Sequence, residues 1–245
     1  MISITGGVSV SGSIITTDGA GPGPGPGPSG PIILYYDLSN ASCYSGTGST
    51  LVDLSGYGND GTLVNSPTYN GSDFGGSVTT SRASSQFIKT SDSFNLDSDW
   101  TVTVIANVST SQTYWATMWG NDAYPGVGYW ALQTASNNLQ VNTSGFGGIT
   151  YTGTVQGSVK VFDFTFDGST ITTYINGVSV ASGSLTPSTP ATDGLYFSAR
   201  HVNGGGASPT DWMSATFYQM RVYSSALDAS TVLSNFNQVK AQYGL

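Results

Sequence analysis

The sequence predicts an all-β, antiparallel sandwich closed by one short carboxy-terminal helix, and three observations predict it. Only 8% of the residues are charged and 33 are glycine, against roughly 25% charged in an average chain, so the composition is one of strands and turns. Short segments of alternating apolar and polar residues follow one another with Gly, Asn, Asp and Pro between them, and no helical period interrupts the series. Residues 32–245, which carry all of these segments, are numerous enough to bury one substantial all-β core.

The elements can be justified in order. Residues 1–18 repeat with a period of six, "ISITGG", "VSVSGS" and "IITTDG", so that Ile2, Val8 and Ile14 are equivalent. Each unit is an alternating strandlet followed by turn residues. The apolar side chains of Ile2, Ile4, Val8, Val10 and Ile14 are too few to leave water within one chain. The expectation is an anchor, with the strandlets intertwining with those of sister chains, a homotrimer being favoured, or adding to a sheet of a larger assembly. A terminus without fixed structure is the alternative. Residues 19–31, "GAGPGPGPGPSGP", form a linker: proline fixes φ and lacks an N–H, so Pro22, Pro24, Pro26, Pro28 and Pro31 cannot join a ladder. Extended at roughly 3.1 Å per residue, Gly21 to Pro31 reach about 30 Å. A period of two excludes collagen, which needs glycine at every third position.

Strands are then expected in "IILYYDL" (32–38), "QFIKT" (86–90), "WTVTVIANV" (100–108), "TYWATMW" (113–119), "YWALQT" (129–134), "NLQVNT" (138–143), "SVKVFDFTF" (158–166), "TITTYINGVSVASGSL" (170–185), "GLYFSAR" (194–200) and "MSATFYQMRVYSSAL" (213–227). Trp100, Val102 and Val104 mark one buried face, and Phe162, Phe164 and Phe166 another. Asn176-Gly177 supplies the two positive-φ positions of a type I′ hairpin turn. Asp228 can cap a final helix in which Val232, Phe236, Val239 and Tyr243 recur at helical spacing, with Gly244 as the expected C-cap.

Charge and cysteine content narrow the partners. The formal net charge is −8, and Arg82, Lys89, Lys160, Arg200, Arg221 and Lys240 are scattered singly, which argues against nucleic acid and anionic membranes. No apolar run approaches the ~20 residues that span a bilayer, and no basic region precedes an apolar stretch near Met1, so the expectation is a soluble chain made in a cytosol. Cys43 is the only cysteine; no internal disulfide can form, and a buried thiol is expected.

Catalysis finds little support. All fourteen acidic residues are Asp. Asp97 with Asp99, and Asp163 with Asp167, are the pairs a glycoside hydrolase could use, but a solvent-facing strand Asp and a turn Asp explain the second pair more simply. His201 is the single histidine and no nucleophile elbow occurs, so neither a triad nor a zinc site is expected. No cofactor is required. Calcium is possible at Asp53, Asn59 and Asp60 in "DLSGYGND", although Asx-turns account for the same residues.

Neutral glycans are met by aromatic faces with a few amide, hydroxyl and carboxylate partners. In "YWATMWGNDAYPGVGYW" (114–130), Trp115 and Trp119 are expected on one face of a strand, with Trp130 on the returning strand and Asn121, Asp122 and Tyr124 exposed at the hairpin tip. A second candidate rim is "ARHVNGGGASPTDW", with His201, Asn203, Asp211 and Trp212.

Three stretches, "LVDLSGYGNDGTLVNSPTY" (51–69), "FDGSTITTYINGVSVASG" (166–183) and "FYQMRVYSSALDASTVLSNFNQVKAQYGL" (217–245), resemble the laminin-G-like, concanavalin A-like jelly rolls. The last is similar to the version found in structural proteins of tailed bacteriophages. The resemblance implies a concanavalin A-like jelly roll over residues 32–245. It further implies a virion surface protein, of the capsid decoration, head-fibre or tail-fibre type, assembled in the host cytoplasm. Such a protein would be held to other virion proteins through residues 1–18 and would display a lectin-like domain to host-surface glycans, without enzymatic activity. A free carbohydrate-binding module and, behind it, a glycoside hydrolase are the alternatives. Fold alone does not decide among them.

Overall fold

The computed structural model describes residues 29–91, 96, 99–112, 115–123, 127–133, 138–143, 148–186, 194–200 and 209–245. The amino-terminal repeats, expected as an anchor, and residues 19–28 of the expected linker therefore lie outside the described residues. The strands are β1 (Ile32–Asp37), β2 (Thr50–Leu51), β3 (Gly61–Val64), β4 (Thr68–Asn70), β5 (Ser77–Thr80), β6 (Phe87–Thr90), β7 (Trp100–Val108) and β8 (Ala116–Ala123). They continue with β9 (Val127–Gln133), β10 (Leu139–Thr143), β11 (Ile149–Tyr151), β12 (Lys160–Phe166), β13 (Thr170–Ile175), β14 (Val178–Ser184), β15 (Tyr196–Phe197) and β16 (Ala215–Tyr223). Helix α1 (Ala229–Val239) ends the fold.

Two antiparallel sheets pack face to face as a jelly-roll sandwich. The first runs β14-β13-β12-β7-β16-β5-β4, with β1 also paired to β16; the second runs β11-β10-β9-β8-β15-β6-β3-β2. Alternation places Val102, Val104, Phe162, Phe164, Phe166, Met220 and Val222 of the first sheet against Trp119, Tyr129, Ala131, Val141 and Phe197 of the second. At the centre, Trp100 stands edge-on to Trp119 at 5.4 Å and to Tyr129 at 5.1 Å between ring centroids.

Strand β7 falls on its expected segment with Trp100, Val102 and Val104 buried, and its other face is covered too. Thr101, Thr103 and Ile105 are buried as well, because α1 roofs the outer face of the first sheet. Val239 and Tyr243 cover Ile105, Val161 and Tyr218, and Val232 covers Tyr174, Tyr223 and Leu227. Asp228 caps the helix as expected, its carboxylate accepting from Thr231 N at 2.7 Å and Ser230 Oγ at 2.7 Å. Gly244 is not the C-cap: the helix stops at Val239 with right-handed Lys240, and Gly244 lies farther on at φ 66°. The Asn176-Gly177 turn has φ of 53° and 76°, the type I′ pair.

The end of the linker belongs to the domain. The side-chain amide of Asn235 on α1 accepts from Ser29 N at 2.9 Å and donates to Ser29 O at 3.1 Å, and Ser224 N donates to Pro31 O. Between them Gly30 has φ 126°, and a Cβ there would stand 2.9 Å from Tyr223 and Leu227 side-chain atoms. Only glycine fits.

Candidate functional site

At one end of the second sheet three non-glycine residues adopt positive φ within a few strand positions: Trp115 (56°), Ser198 (72°) and Asp211 (54°). Such conformations cost roughly 1–3 kcal/mol each and persist only where the surroundings impose them. Ser198, just after β15, is held by Met118 O and by its own hydroxyl, which donates to Met213 O at 2.6 Å and shares a 2.7 Å bond with Thr80 Oγ1. Arg200 and Thr210 then exchange backbone hydrogen bonds of 3.1 and 2.9 Å, making the stem of the Gly-rich loop. The loop residues His201 and Asn203 lie outside the described residues.

Asp211 accepts from Arg200 Nε at 2.6 Å, and its carbonyl accepts from Thr117 N at 2.7 Å, so the stem is fastened to the start of β8. Trp115 immediately precedes β8 and is 38% exposed. Trp212 is half-buried against Phe87, Tyr196 and Ala199, and its carbonyl accepts from Arg82 at 3.4 Å. Lys89 stands 5.5 Å above the Tyr196 ring. The corner thus combines an exposed indole, a second indole fixed by packing, and a rigid carboxylate–guanidinium pair.

The structure separates the other candidates. Asn121 is not at an exposed tip: it is fully buried, donating through Nδ2 to Gly194 O at 2.8 Å. Strand β8 runs on to Ala123, so Asn121 is a strand residue paired with Tyr129, while Trp115 precedes the strand and a bulge between Thr117 and Trp119 breaks the alternation that would have related it to Trp119. The expectation that Trp115 and Trp119 share a face is therefore corrected. Asp122 lies in β8 opposite Gly128, and Tyr124 lies outside the described residues.

Asp53, Asn59 and Asp60 do meet. Asp53 accepts from Tyr35 N, Ser55 N, Ser55 Oγ and Asn59 N at 2.7–3.0 Å. Asp60 accepts from Asp53 N at 2.9 Å, and Asn59 donates to Ile33 O at 2.8 Å. These bonds tie the loop to β1, and among the described residues no group of three or more His, Cys, Asp or Glu side chains could hold a metal ion. Burial pushes the Cys43 thiol up to about 12.

Asp163 departs from its expected exposure. The face it occupies is covered, and it accepts from Thr103 Oγ1 at 2.6 Å in the same cross-strand row as Arg221. Burial raises its pKa to about 6, opposed by the Thr103 bond and by Arg221. Asp167 is exposed and caps the β12–β13 turn by accepting from Ser169 and Thr170. The two are not a facing carboxyl pair. Asp97 lies outside the described residues. A carboxyl whose folded pKa is raised stabilises the fold below its unfolded value near 4 and loses that contribution as pH rises through about 6. Asp163→Asn should therefore flatten the pH dependence of unfolding free energy between pH 4 and 8, removing a fall on the order of 3 kcal/mol; urea melts across that range check it.

Elsewhere an open cleft of about 410 Å³ is lined by Thr79, Ser81, Asn107, Ser109, Ser214 and Thr216. It has no aromatic wall, and Thr79 and Thr216 bond each other at 2.9 Å, so the indole corner offers more to a ligand. Its exposed Trp115 and the Arg200–Asp211 pair were not read from sequence. The available signal was that Arg200 and Asp211 bracket the Gly-rich loop.

No protein-family model and no curated protein matches the chain. Solved structures do match. Domain 4 of a GH43 extracellular arabinanase from Geobacillus stearothermophilus, in complex with arabinotriose, aligns with TM-score 0.63 and 18% identity over 84% of this chain and 98% of that one. The binding domain of Paraclostridial Mosquitocidal Protein 1 aligns with TM-score 0.63 and 15% identity over 84% of this chain and 52% of that one. Trypanosoma rangeli sialidase in complex with sialic acid aligns with TM-score 0.63 and 11% identity over 87% and 34%. The chain thus spans about half of the toxin domain and about a third of the sialidase. These likenesses establish the β-sandwich fold.

Proposed function

We propose that this chain is a non-catalytic carbohydrate-binding sandwich, carried on a Gly-Pro linker, and that its site is the corner of Trp115, Arg200, Asp211 and Trp212. The observation that carries the reading is the concentration of imposed strain beside an exposed indole: Trp115, Ser198 and Asp211 are all held at positive φ there. Strain held by surrounding structure accompanies sites that must be preorganised. An indole face beside a carboxylate held in place by a buried guanidinium suits a neutral sugar, whose C–H face stacks while a hydroxyl donates to the carboxylate. The arabinotriose complex of the domain aligned over nearly its whole length supports the same ligand class.

The finer reading is a tailed-phage virion surface protein, its residues 1–18 anchoring it to other virion proteins and its sandwich presented to host-surface glycans. The "ALDAS" turn and "NFN…YGL" ending, and the linker separating the repeats from the domain, support it. The test is a glycan array probed with the full chain and with Trp115→Ala. Alanine removes an indole that is 38% exposed, so binding to the selected glycan should fall about tenfold or more while stability changes by no more than about 1–2 kcal/mol. Equal binding by the variant would remove Trp115 from the site.

A further inference from the structure

The chain contains three Asn-Gly steps. Asn203-Gly204 lies outside the described residues. Asn70-Gly71 leads out of β4 into the β4–β5 turn, and Asn176-Gly177 turns the β13–β14 hairpin. Only the second turn needs its glycine. Gly177 has φ 76°, whereas Gly71 lies outside the left-handed region, and a Cβ there would meet the Tyr69 ring at 3.4 Å, an ordinary contact. Gly71 answers no backbone demand; what it supplies is an uncrowded peptide nitrogen in an exposed stretch, Asn70 to Ser72.

The side chains differ in the same direction. Asn70 Oδ1 accepts from Ser72 N at 3.1 Å and from Ser72 Oγ at 2.9 Å, which curls its amide over the 70–71 peptide. Gly71 N makes no backbone hydrogen bond among the described residues. Asn176 is held the other way: its Oδ1 accepts from Val161 N on β12 at 2.9 Å, and Leu233 and Phe236 stand 3.1 Å from where a Cβ of Gly177 would lie. Asn40 supplies an internal comparison, since its Oδ1 accepts from Ser42 N at 2.9 Å in the manner of Asn70, but alanine follows it.

We infer that Asn70-Gly71 is a site of spontaneous, backbone-assisted deamidation, with water as the co-reactant. Gly71 N, giving its proton to solvent base, attacks Asn70 Cγ. The negative charge that develops on Oδ1 is received by the two Ser72 donors already bonded to that oxygen, an arrangement of the oxyanion-hole kind. The Cγ–Nδ2 bond then breaks, the nitrogen takes up a proton and leaves as ammonia, and a cyclic imide remains. Water opens the imide at Cγ to give aspartate, or at the main-chain carbonyl to give isoaspartate; nothing is oxidised or reduced. The isoaspartyl product places an extra methylene in the main chain at the rung where Asn70 faces Ser77. Beyond that rung the turn carries Phe74, whose ring packs at 5.5 Å on both Tyr218 and Tyr243, so conversion loosens the support of that aromatic cluster.

This chemistry is independent of glycan binding and of the role of residues 1–18. The experiment incubates the full chain at mildly alkaline pH and follows the asparaginyl, aspartyl and isoaspartyl forms of each site by peptide mapping. In the folded chain Asn70 should convert about tenfold or more faster than Asn176 and Asn40. Unfolded in urea, Asn70 and Asn176 should converge, because glycine follows both, while Asn40 stays slow. Gly71→Ala, which the backbone accommodates, should slow Asn70 about tenfold. Ser72→Ala, which removes one of the two donors, should slow it about three- to tenfold. Unchanged melting temperatures show that both variants fold. An Asn70 rate equal to that of Asn176 in the folded chain, or one indifferent to either substitution, would overturn the assignment.

Discussion

Trp100→Ala is expected to lower the unfolding free energy by about 4 kcal/mol, a large share of the stability of a domain this size. The indole is the contact point between the sheets: it belongs to β7 of the first, yet its ring meets Trp119 and Tyr129 of the second at 5.4 and 5.1 Å, and Phe166 of its own sheet at 5.6 Å. All four side chains are fully buried. Removing the indole leaves a cavity that rings anchored on three strands cannot collapse to fill. Urea titration with near-UV circular dichroism measures the effect; a cost below about 1 kcal/mol would show that the sheets do not meet there.

Asp53→Ala is expected to cost about 3 kcal/mol through polar bookkeeping rather than packing. The carboxylate accepts four hydrogen bonds, three of them from backbone N–H groups of Tyr35, Ser55 and Asn59, and alanine leaves those donors orphaned. The loop would release β1, because Asn59 also holds Ile33 O and receives the Tyr36 hydroxyl. Since the carboxylate oxygens are already engaged, calcium at about 1 mM should leave the melting temperature of the native chain unchanged. A calcium-dependent rise in melting temperature that Asp53→Ala abolishes would instead establish a metal role.

The long strands and the final helix were legible because their signals are local. In β7 and β12 the side-chain alternation and aromatic content are enough, and in α1 the Asp228 cap and the Val232–Val239 spacing are enough. The short strands β2, β3, β4, β5 and β11 were not, since two to four residues carry too little alternation to register; they form because neighbouring strands offer an edge. The burial of Asp163 depends on α1 returning over β12, a contact between distant segments that no local pattern announces. The candidate site divides the same way. Asp211 and Trp212 were legible from their Gly-rich loop. Asn121 was misplaced because β8 runs on to Ala123, four residues past the expected strand end, and Trp115 and Trp119 were given one face because the bulge between Thr117 and Trp119 carries no local sign.

The central claim is that sugar is met at the corner of Trp115 and Asp211 and not elsewhere on the sandwich. The most direct measurement follows the indole N–H resonances of the five tryptophans while the full chain is titrated with the oligosaccharide selected by the array. Saturable shifts of the Trp115 resonance, lost in Asp211→Ala, with the buried Trp100 and Trp119 resonances unmoved, are the predicted result. A bound sugar that leaves Trp115 unshifted would contradict the account.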